Sequence, residues 1–205
     1  MAIPTPTDRG PSRPALRARY DGRRDEVVAV AAQLFAERGY HGTSMADLTA
    51  ATGLAPGGLY HYIGSKESLL VRICDELMDP LLAEAQPIAT DGAAPEDRLR
   101  RLLRTWMIHV DEHHDHMLVF QQERTLLAEG AQWRDVRHKR KTFEELLDAV
   151  LRDCEAAGLL RLGDRRLTLS ALLGMVNYSP QWLRPGGRLT PEEIANGYGD
   201  LVLAG

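Results

Sequence analysis

Between Arg23 and Arg38 the apolar side chains fall at Val27, Val30, Ala31, Leu34 and Phe35. That is the i, i+3, i+4, i+7 spacing of one helical stripe. Gly39 follows where a helix end favours a left-handed residue. Ser44 with Asp47 three positions on has the outline of a capping box, so a second, short helix starts there and stops at Gly53. Pro56 suits the first turn of a third helix, where its missing N–H is not needed. That helix runs to about Tyr62 and is broken by Gly64. Ser65 caps a fourth, which begins Lys66-Glu67-Ser68-Leu69-Leu70, reaches Asp79 and can continue, kinked, past Pro80.

Residues 89–95 (ATDGAAP) read as a loop. Leu99, Leu102, Leu103, Trp106 and Val110 then recur at helical spacing, followed by a polar break at His113–His116 and a helix from Met117 to Ala128. Phe143, Leu146, Leu147, Val150, Leu151 and Cys154 share one face of a long helix from Trp133 to Ala157. A strongly apolar helix spans Leu167 to Leu183, bent near its end by Pro180. Thr190-Pro191-Glu192-Glu193 opens a last helix that runs to about Ala204. No segment alternates with a period of two, so no sheet is expected. The pattern predicts an all-α fold of about nine helices. Residues 1–22 are expected to form a basic disordered arm, 23–68 a compact three-helix head, and 69–205 a second helical domain. The head ends inside the long fourth helix.

Hydrophobic residues make up 44% of the 205, enough for a real core. No apolar run approaches the ~20 residues that cross a bilayer. The first twenty residues are rich in Pro and Arg and lack the apolar middle of a secretion signal. A cytoplasmic protein without membrane contact is expected. Cys74 and Cys154 form no CxxC and sit at helix-core positions, which assigns them to packing. The net charge of −4 argues against a protein that coats nucleic acid generally. Its distribution says more. Six arginines (Arg9, Arg13, Arg17, Arg19, Arg23, Arg24) stand against Asp8 and Asp21 in the first 24 residues. A basic end on an acidic body fits contact with phosphate at one end only.

Three short helices with a turn centred on Thr52-Gly53-Leu54 make a helix-turn-helix arrangement. The third would enter a major groove with its N-terminal residues at the base edges. Those residues, Ala55, Pro56, Gly57 and Gly58, are small and allow close approach, while Tyr60 and His61 supply polar reach. Thr43, Ser44 and Lys66 can donate to phosphate, and the arginines before Arg24 can reach flanking phosphates or the minor groove. The stretch from Val27 to Leu70 closely resembles the TetR family of bacterial regulators. The resemblance rests on Val27-Val28-x-Val30-Ala31-x-x-Leu34-Phe35-x-x-x-Gly39-Tyr40, Gly42-Thr43-Ser44, Asp47-Leu48, Gly53-Leu54, Pro56-Gly57-x-Leu59-Tyr60-x-Tyr62 and Ser65-Lys66-Glu67-x-Leu69. Thr52, Ile63 and Gly64 depart from it, at positions where the family has Ala, Phe and Pro. The resemblance places DNA contacts at Thr43, Ser44, Tyr60, His61 and Lys66, with Gly57 and Gly58 at the groove.

The same resemblance implies that the last two helices pair with a second copy of the chain. The sequence agrees, because Leu167, Leu169, Leu172, Leu173 and Val176, joined by Ile194, Tyr198, Leu201 and Leu203, are too apolar for free outer faces. A two-fold dimer matches a palindromic double-stranded operator. The run from Leu173 to Ile194 is similar to TetR-type regulators of lipid, fatty-acid or steroid breakdown, several of which answer to acyl-CoA thioesters. Pro180 departs from that pattern. The resemblance thus implies a repressor released by a small hydrophobic or acyl-CoA-type effector. Trp106, His109, Phe120, Gln121, Arg124, Met175, Tyr178 and Trp182 are the candidate lining of its pocket, each equally suited to ordinary helix packing. Arg104, Arg124 and Arg184 could meet CoA phosphates. His109 and His113 have the i, i+4 spacing of a metal pair, with Glu112, His114, Asp115 and His116 beside them. A polar inter-helix turn explains that cluster better, since nothing in the sequence brings the flanking residues together, so no metal and no cofactor are expected. No nucleophile motif or phosphate-cradling loop is present, and an enzyme is not expected.

Overall fold

The computed structural model describes residues 14–184 and 186–204. Ten α-helices lie among the described residues: α1 (Pro14–Arg38), α2 (Met45–Thr52), α3 (Pro56–Ile63), α4 (Lys66–Thr90), α5 (Pro95–Glu112), α6 (His114–Gln122), α7 (Arg124–Ala128), α8 (Arg134–Ala156), α9 (Arg165–Tyr178) and α10 (Pro191–Val202). Short 3-10 turns follow α7 and α9. The all-α expectation holds. The tenth helix arises because the expected Met117–Ala128 segment divides at Glu123. The expected polar break before it shrinks to His113 alone, with α6 starting at the next residue. Extended pairing among the described residues is limited to an isolated antiparallel bridge between Leu160 and Leu203.

The helix α1 starts nine residues earlier than its apolar stripe implies. Pro14 fits a first turn, Ala15, Leu16 and Ala18 are strong helix formers, and Asp21 pairs with Arg17 at 4.0 Å and Arg24 at 2.9 Å. Residues 14–22, expected in a disordered arm, are therefore helical. The rest of that expectation, residues 1–13, lies outside the described residues.

The chain forms two compact units, and the change from one to the other falls inside α4, between Glu76 and Leu77. Among the described residues the first unit holds 14–76 together with Leu118–Val136. Its core joins Val28, Ala31 and Phe35 of α1 to Leu48 of α2, Leu59 of α3 and Leu70 and Ile73 of α4. Val119, Leu127 and Trp133 are buried in the same unit. The head is thus larger than the three short helices, and no local pattern marks the distant segment as part of it.

The turn between α1 and α2 is tight. A Cβ on Gly42 would lie 2.3 Å from the Arg38 carbonyl oxygen, so any side chain there forces the backbone to move. Gly42→Ala is expected to lower the stability of the protein by about 1–3 kcal/mol, as other overpacked sites do. Urea unfolding measures this; a midpoint equal to wild type would show that the turn relaxes freely.

The second unit comprises Leu77–Met117 and Arg137 onward. Here α10 packs along α5 and also against α9. Arg98 ties the end of α4 to α5 and α8. It donates to the carbonyls of Ala89 (2.9 Å) and Ala93 (3.0 Å) and to the Asp153 carboxylate (2.7 Å). Those bonds occupy a carbonyl at the C-terminal end of α4 that no later turn can satisfy. Cys74 and Cys154 form no disulfide and are fully buried, and burial pushes the Cys154 thiol up to about 11. Both act as packing residues.

Candidate nucleic-acid interface

The reading helix is presented by a short chain of local devices. Ser44 caps α2: its hydroxyl accepts the Asp47 N–H at 3.1 Å, and the Asp47 carboxylate accepts the Ser44 N–H at 2.8 Å. The Ser44 hydroxyl also donates to the Asp47 carboxylate at 2.6 Å, and this bond first, then that from the Ser44 N–H, holds the Asp47 carboxyl below its usual range. At the other end Gly53 adopts φ 67°, the left-handed conformation that lets the chain turn without a Cβ penalty. Thr52 turns its hydroxyl back onto the Leu48 carbonyl at 2.8 Å, so this departure from the family pattern costs no exposed donor. Arg23 of α1 donates to the Thr52 carbonyl at 3.1 Å and fixes the end of α2.

In α3, Leu59 and Ile63 point inward. The opposite face carries Gly57, Tyr60, His61 and Gly64, spaced i, i+3, i+4, i+7 and all exposed. Tyr60 is 50% exposed. Gly58 is half-buried, and a Cβ on Gly57 or Gly58 would meet nothing within 4 Å. The N-terminal half of the helix therefore offers bare backbone, and the C-terminal half offers an aromatic hydroxyl and an imidazole. That arrangement suits a duplex groove, in which small residues allow approach and polar ones read edges.

Two of the seven expected contact residues are used elsewhere. Thr43 is only 1% exposed, and its hydroxyl donates to the Gly39 carbonyl at 3.0 Å. It braces the turn after α1, which corrects the expectation of a phosphate donor. Lys66 is half-buried, with its ammonium 4.2 Å from the centre of the Tyr40 ring and 5.9 Å from that of Phe35. A lysine in the first helical turn faces the positive end of the macrodipole. Here the ring face offsets that cost. Burial lowers the Lys66 pKa, and the nearby Glu123 opposes the shift. Ser44, Gly57, Gly58, Tyr60 and His61 remain on the outer surface.

Sequence reasoning missed three supports of this surface. Tyr20 lies at a ring-centroid distance of 4.9 Å on Tyr62, meets His61 edge-on at 5.4 Å, and donates its hydroxyl to the His61 carbonyl at 3.0 Å. An aromatic within a basic segment gives no local sign of that role. Glu123, nine-tenths buried, accepts the backbone N–H of Tyr40 at 3.1 Å, and Gln122 donates to the Ala36 carbonyl at 3.0 Å. Burial, followed by the charges of Glu67 and Glu123, raises the Tyr40 pKa. Both residues lie more than eighty positions from their partners, beyond any pattern of spacing. Among the arginines expected at phosphate, Arg23 is engaged within the head by the Thr52 carbonyl, as its neighbour Arg24 is by Asp21. Arg17 and Arg19 are exposed, and Arg9 and Arg13 lie outside the described residues.

The eight expected effector contacts fall in different places. Trp106, His109 and Met175 belong to the second unit. Trp106 is buried edge-on against Phe143 at 4.8 Å, and burial lowers the His109 pKa to about 4, aided by His113. Tyr178 and Trp182 of that unit are 65% and 44% exposed, which corrects their placement in a pocket wall. Both follow the outward face of α9 and its end. Phe120, Gln121 and Arg124 belong to the first unit, where Phe120 is buried, Gln121 half-buried and Arg124 exposed. An open groove of about 570 Å³ in that unit is lined by His41, Gln122, Glu123, Thr125, Leu126, Glu129, Gly130, Gln132 and Trp133. It carries two carboxylates and no lysine or arginine, so it repels CoA phosphates.

The capped α2, the tight turn and the open outer face of α3 define a helix-turn-helix DNA-binding protein. The family comparison agrees. Residues 27–73 match the family model described as bacterial regulatory proteins, tetR family. Residues 92–205 match that of the tetracyclin repressor-like C-terminal domain. The chain belongs to the TetR family; it is a transcriptional regulator and not an enzyme. It is 31% identical over 185 residues to the HTH-type transcriptional repressor KstR2 of Rhodococcus jostii, covering 90% of this chain and 91% of that protein. Among solved structures it resembles the ketosteroid transcriptional regulator KstR2 of Mycobacterium tuberculosis, with a TM-score of 0.82, 26% identity, and 89% and 96% of the two chains covered. It also resembles AibR in complex with isovaleryl coenzyme A and operator DNA, with a TM-score of 0.76, 31% identity, and 87% and 97% covered. No helix of the described residues is long and apolar enough to cross a membrane.

Proposed function

We propose that the chain is a cytoplasmic, homodimeric repressor that sits on a palindromic operator and is released by a small hydrophobic or acyl-CoA-type effector. The outward stripe of α3 carries the DNA-reading half of this reading. Gly57 and Gly58 let the helix backbone approach the groove, Tyr60 and His61 reach base edges, and Ser44 at the start of α2 meets phosphate. Thr43 and Lys66 hold the head in shape behind them. A dimer with two-fold symmetry places a second copy of α3 about 34 Å away, one helical turn along the duplex.

The effector half draws on the relatives. AibR was solved with isovaleryl coenzyme A and operator DNA, and KstR2 is named a ketosteroid regulator. Release requires that the effector bind one arrangement of the dimer better than the arrangement that fits DNA. The factor by which it weakens operator binding equals the factor by which the operator weakens effector binding. Fluorescence-anisotropy titrations with DNA from the upstream intergenic region, with and without a panel of acyl-CoA thioesters, test this. A cognate thioester is expected to weaken operator binding at least about tenfold, a coupling of roughly 1.4 kcal/mol. Binding unchanged across the panel removes acyl-CoA as the effector class and leaves the DNA-reading half intact.

A further inference from the structure

We propose that His109, Glu112 and His113 form a binding site for a divalent first-row transition ion of the zinc type. One donor atom from each can be chosen so that all three lie within 4.8 Å of one another. The residues occupy the last turn of α5 and the residue that caps it, where carbonyl oxygens gather negative potential and favour a cation. Two imidazoles and one carboxylate are a donor set that takes zinc or a neighbouring transition ion in preference to calcium or magnesium.

The hydrogen bonds around the two rings prepare them for this. His109 Nε2 lies 2.6 Å from the Leu77 carbonyl oxygen, which can only accept. Nε2 therefore carries the proton, and Nδ1 keeps its lone pair. His113 Nδ1 lies 3.2 Å from the His109 carbonyl oxygen, so the same logic leaves Nε2 of His113 with the lone pair. A metal-bound histidine normally donates its other N–H to a carbonyl or carboxylate, which fixes tautomer and ring orientation. Both histidines have that partner. His114 does not qualify, since its two nitrogens face Asp115 and the Pro180 carbonyl at 3.3 and 3.0 Å.

The rings of His109 and His113 stack at 4.1 Å with their planes 30° apart. Tetrahedral zinc with bonds of about 2.1 Å needs donors about 3.4 Å apart. The contraction requires rotation about χ2 of the half-buried His113, a soft torsion. Glu112 is exposed and completes the set from the rim, leaving a coordination position for water. His109, buried beneath, also links the site to α4 through Leu77, three residues before Pro80.

Isothermal titration of the full chain, stripped with chelator, against zinc is the test. The expected result is one zinc per chain at micromolar or tighter affinity. Loss of a ligand should weaken it at least about tenfold in Glu112→Gln and in His113→Ala, with far-ultraviolet circular dichroism unchanged. His138→Ala, on an exposed surface, should bind as wild type. Cobalt should give visible ligand-field bands that both ligand variants lose. Absence of stoichiometric zinc, or zinc and cobalt bound equally well by the Glu112→Gln/His113→Ala double variant, would overturn the proposal.

Discussion

Replacing Tyr60 or His61 by alanine is expected to weaken operator binding by about 30-fold to 10⁴-fold. Each lost base-pair contact costs about 1–3 kcal/mol, and a two-fold dimer loses it in both half-sites, giving about 2–6 kcal/mol in all. The cost should not come from folding. Tyr60 is half exposed and His61 is exposed, and neither belongs to the buried set that holds α3 in place, Leu59 and Ile63. Thermal unfolding should therefore stay within a degree or two of wild type. Competition with nonspecific DNA separates the two kinds of contact. Truncation at base edges should lower the specific-to-nonspecific ratio, whereas Ser44→Ala should weaken both alike and also destabilise α2, which Ser44 caps. Wild-type operator affinity in the Tyr60→Ala/His61→Ala double variant would remove α3 from the groove.

Lys66 offers a contrast within the same head. A lysine beside a helix N-terminus looks like a phosphate contact when only its neighbours in sequence are known. Its partners, the Tyr40 ring and the Glu123 charge, come from α1's far end and from the segment after α6. Thr43 misleads in the same way: a hydroxyl beside an N-cap reads as a surface donor, but the Gly42 turn folds it inward onto the Gly39 carbonyl. What the sequence makes legible is what short-range chemistry decides. The Ser44–Asp47 cap, the glycine at position 53, the proline opening α3 and the Thr190–Glu193 cap all stand where their residue types demand. Helix boundaries set by distant partners are not legible in this way. The start of α1 depends on Asp21 pairs and on Tyr20 packing against Tyr62, and the split between α6 and α7 falls at Glu123, whose carboxylate is held by a backbone N–H from position 40. The candidate effector residues are large apolar or polar side chains on the middle and late helices. Such residues serve an interior, a pocket or an outer face equally well, and Tyr178 and Trp182 proved to lie outside.

Those exposed aromatics belong with the remaining large effect. The outward face of α9 runs through Leu167, Gly174 and Tyr178, and that of α10 through Gly197 and Leu201, with Leu167, Tyr178 and Leu201 each more than half exposed. Cβ atoms built on Gly174 and Gly197 meet nothing within 4 Å. Large apolar side chains beside bare backbone make a face that another helix can approach closely, and water is a poor neighbour for it. Leu201→Glu is expected to convert the dimer to monomer in sedimentation equilibrium. Two-fold symmetry would bring a second copy of each charge into the same interface, where neither has a partner. In the isolated chain the substitution is harmless, because the side chain already stands in solvent. Operator affinity should then fall by about 10²–10⁴, the avidity that two linked half-site contacts provide beyond one. Half-site binding by the monomer, with Tyr60 and His61 still in place, should survive in low salt, which distinguishes lost pairing from a damaged head. A Leu201→Glu chain that remains dimeric with unchanged operator affinity would place the pairing surface elsewhere.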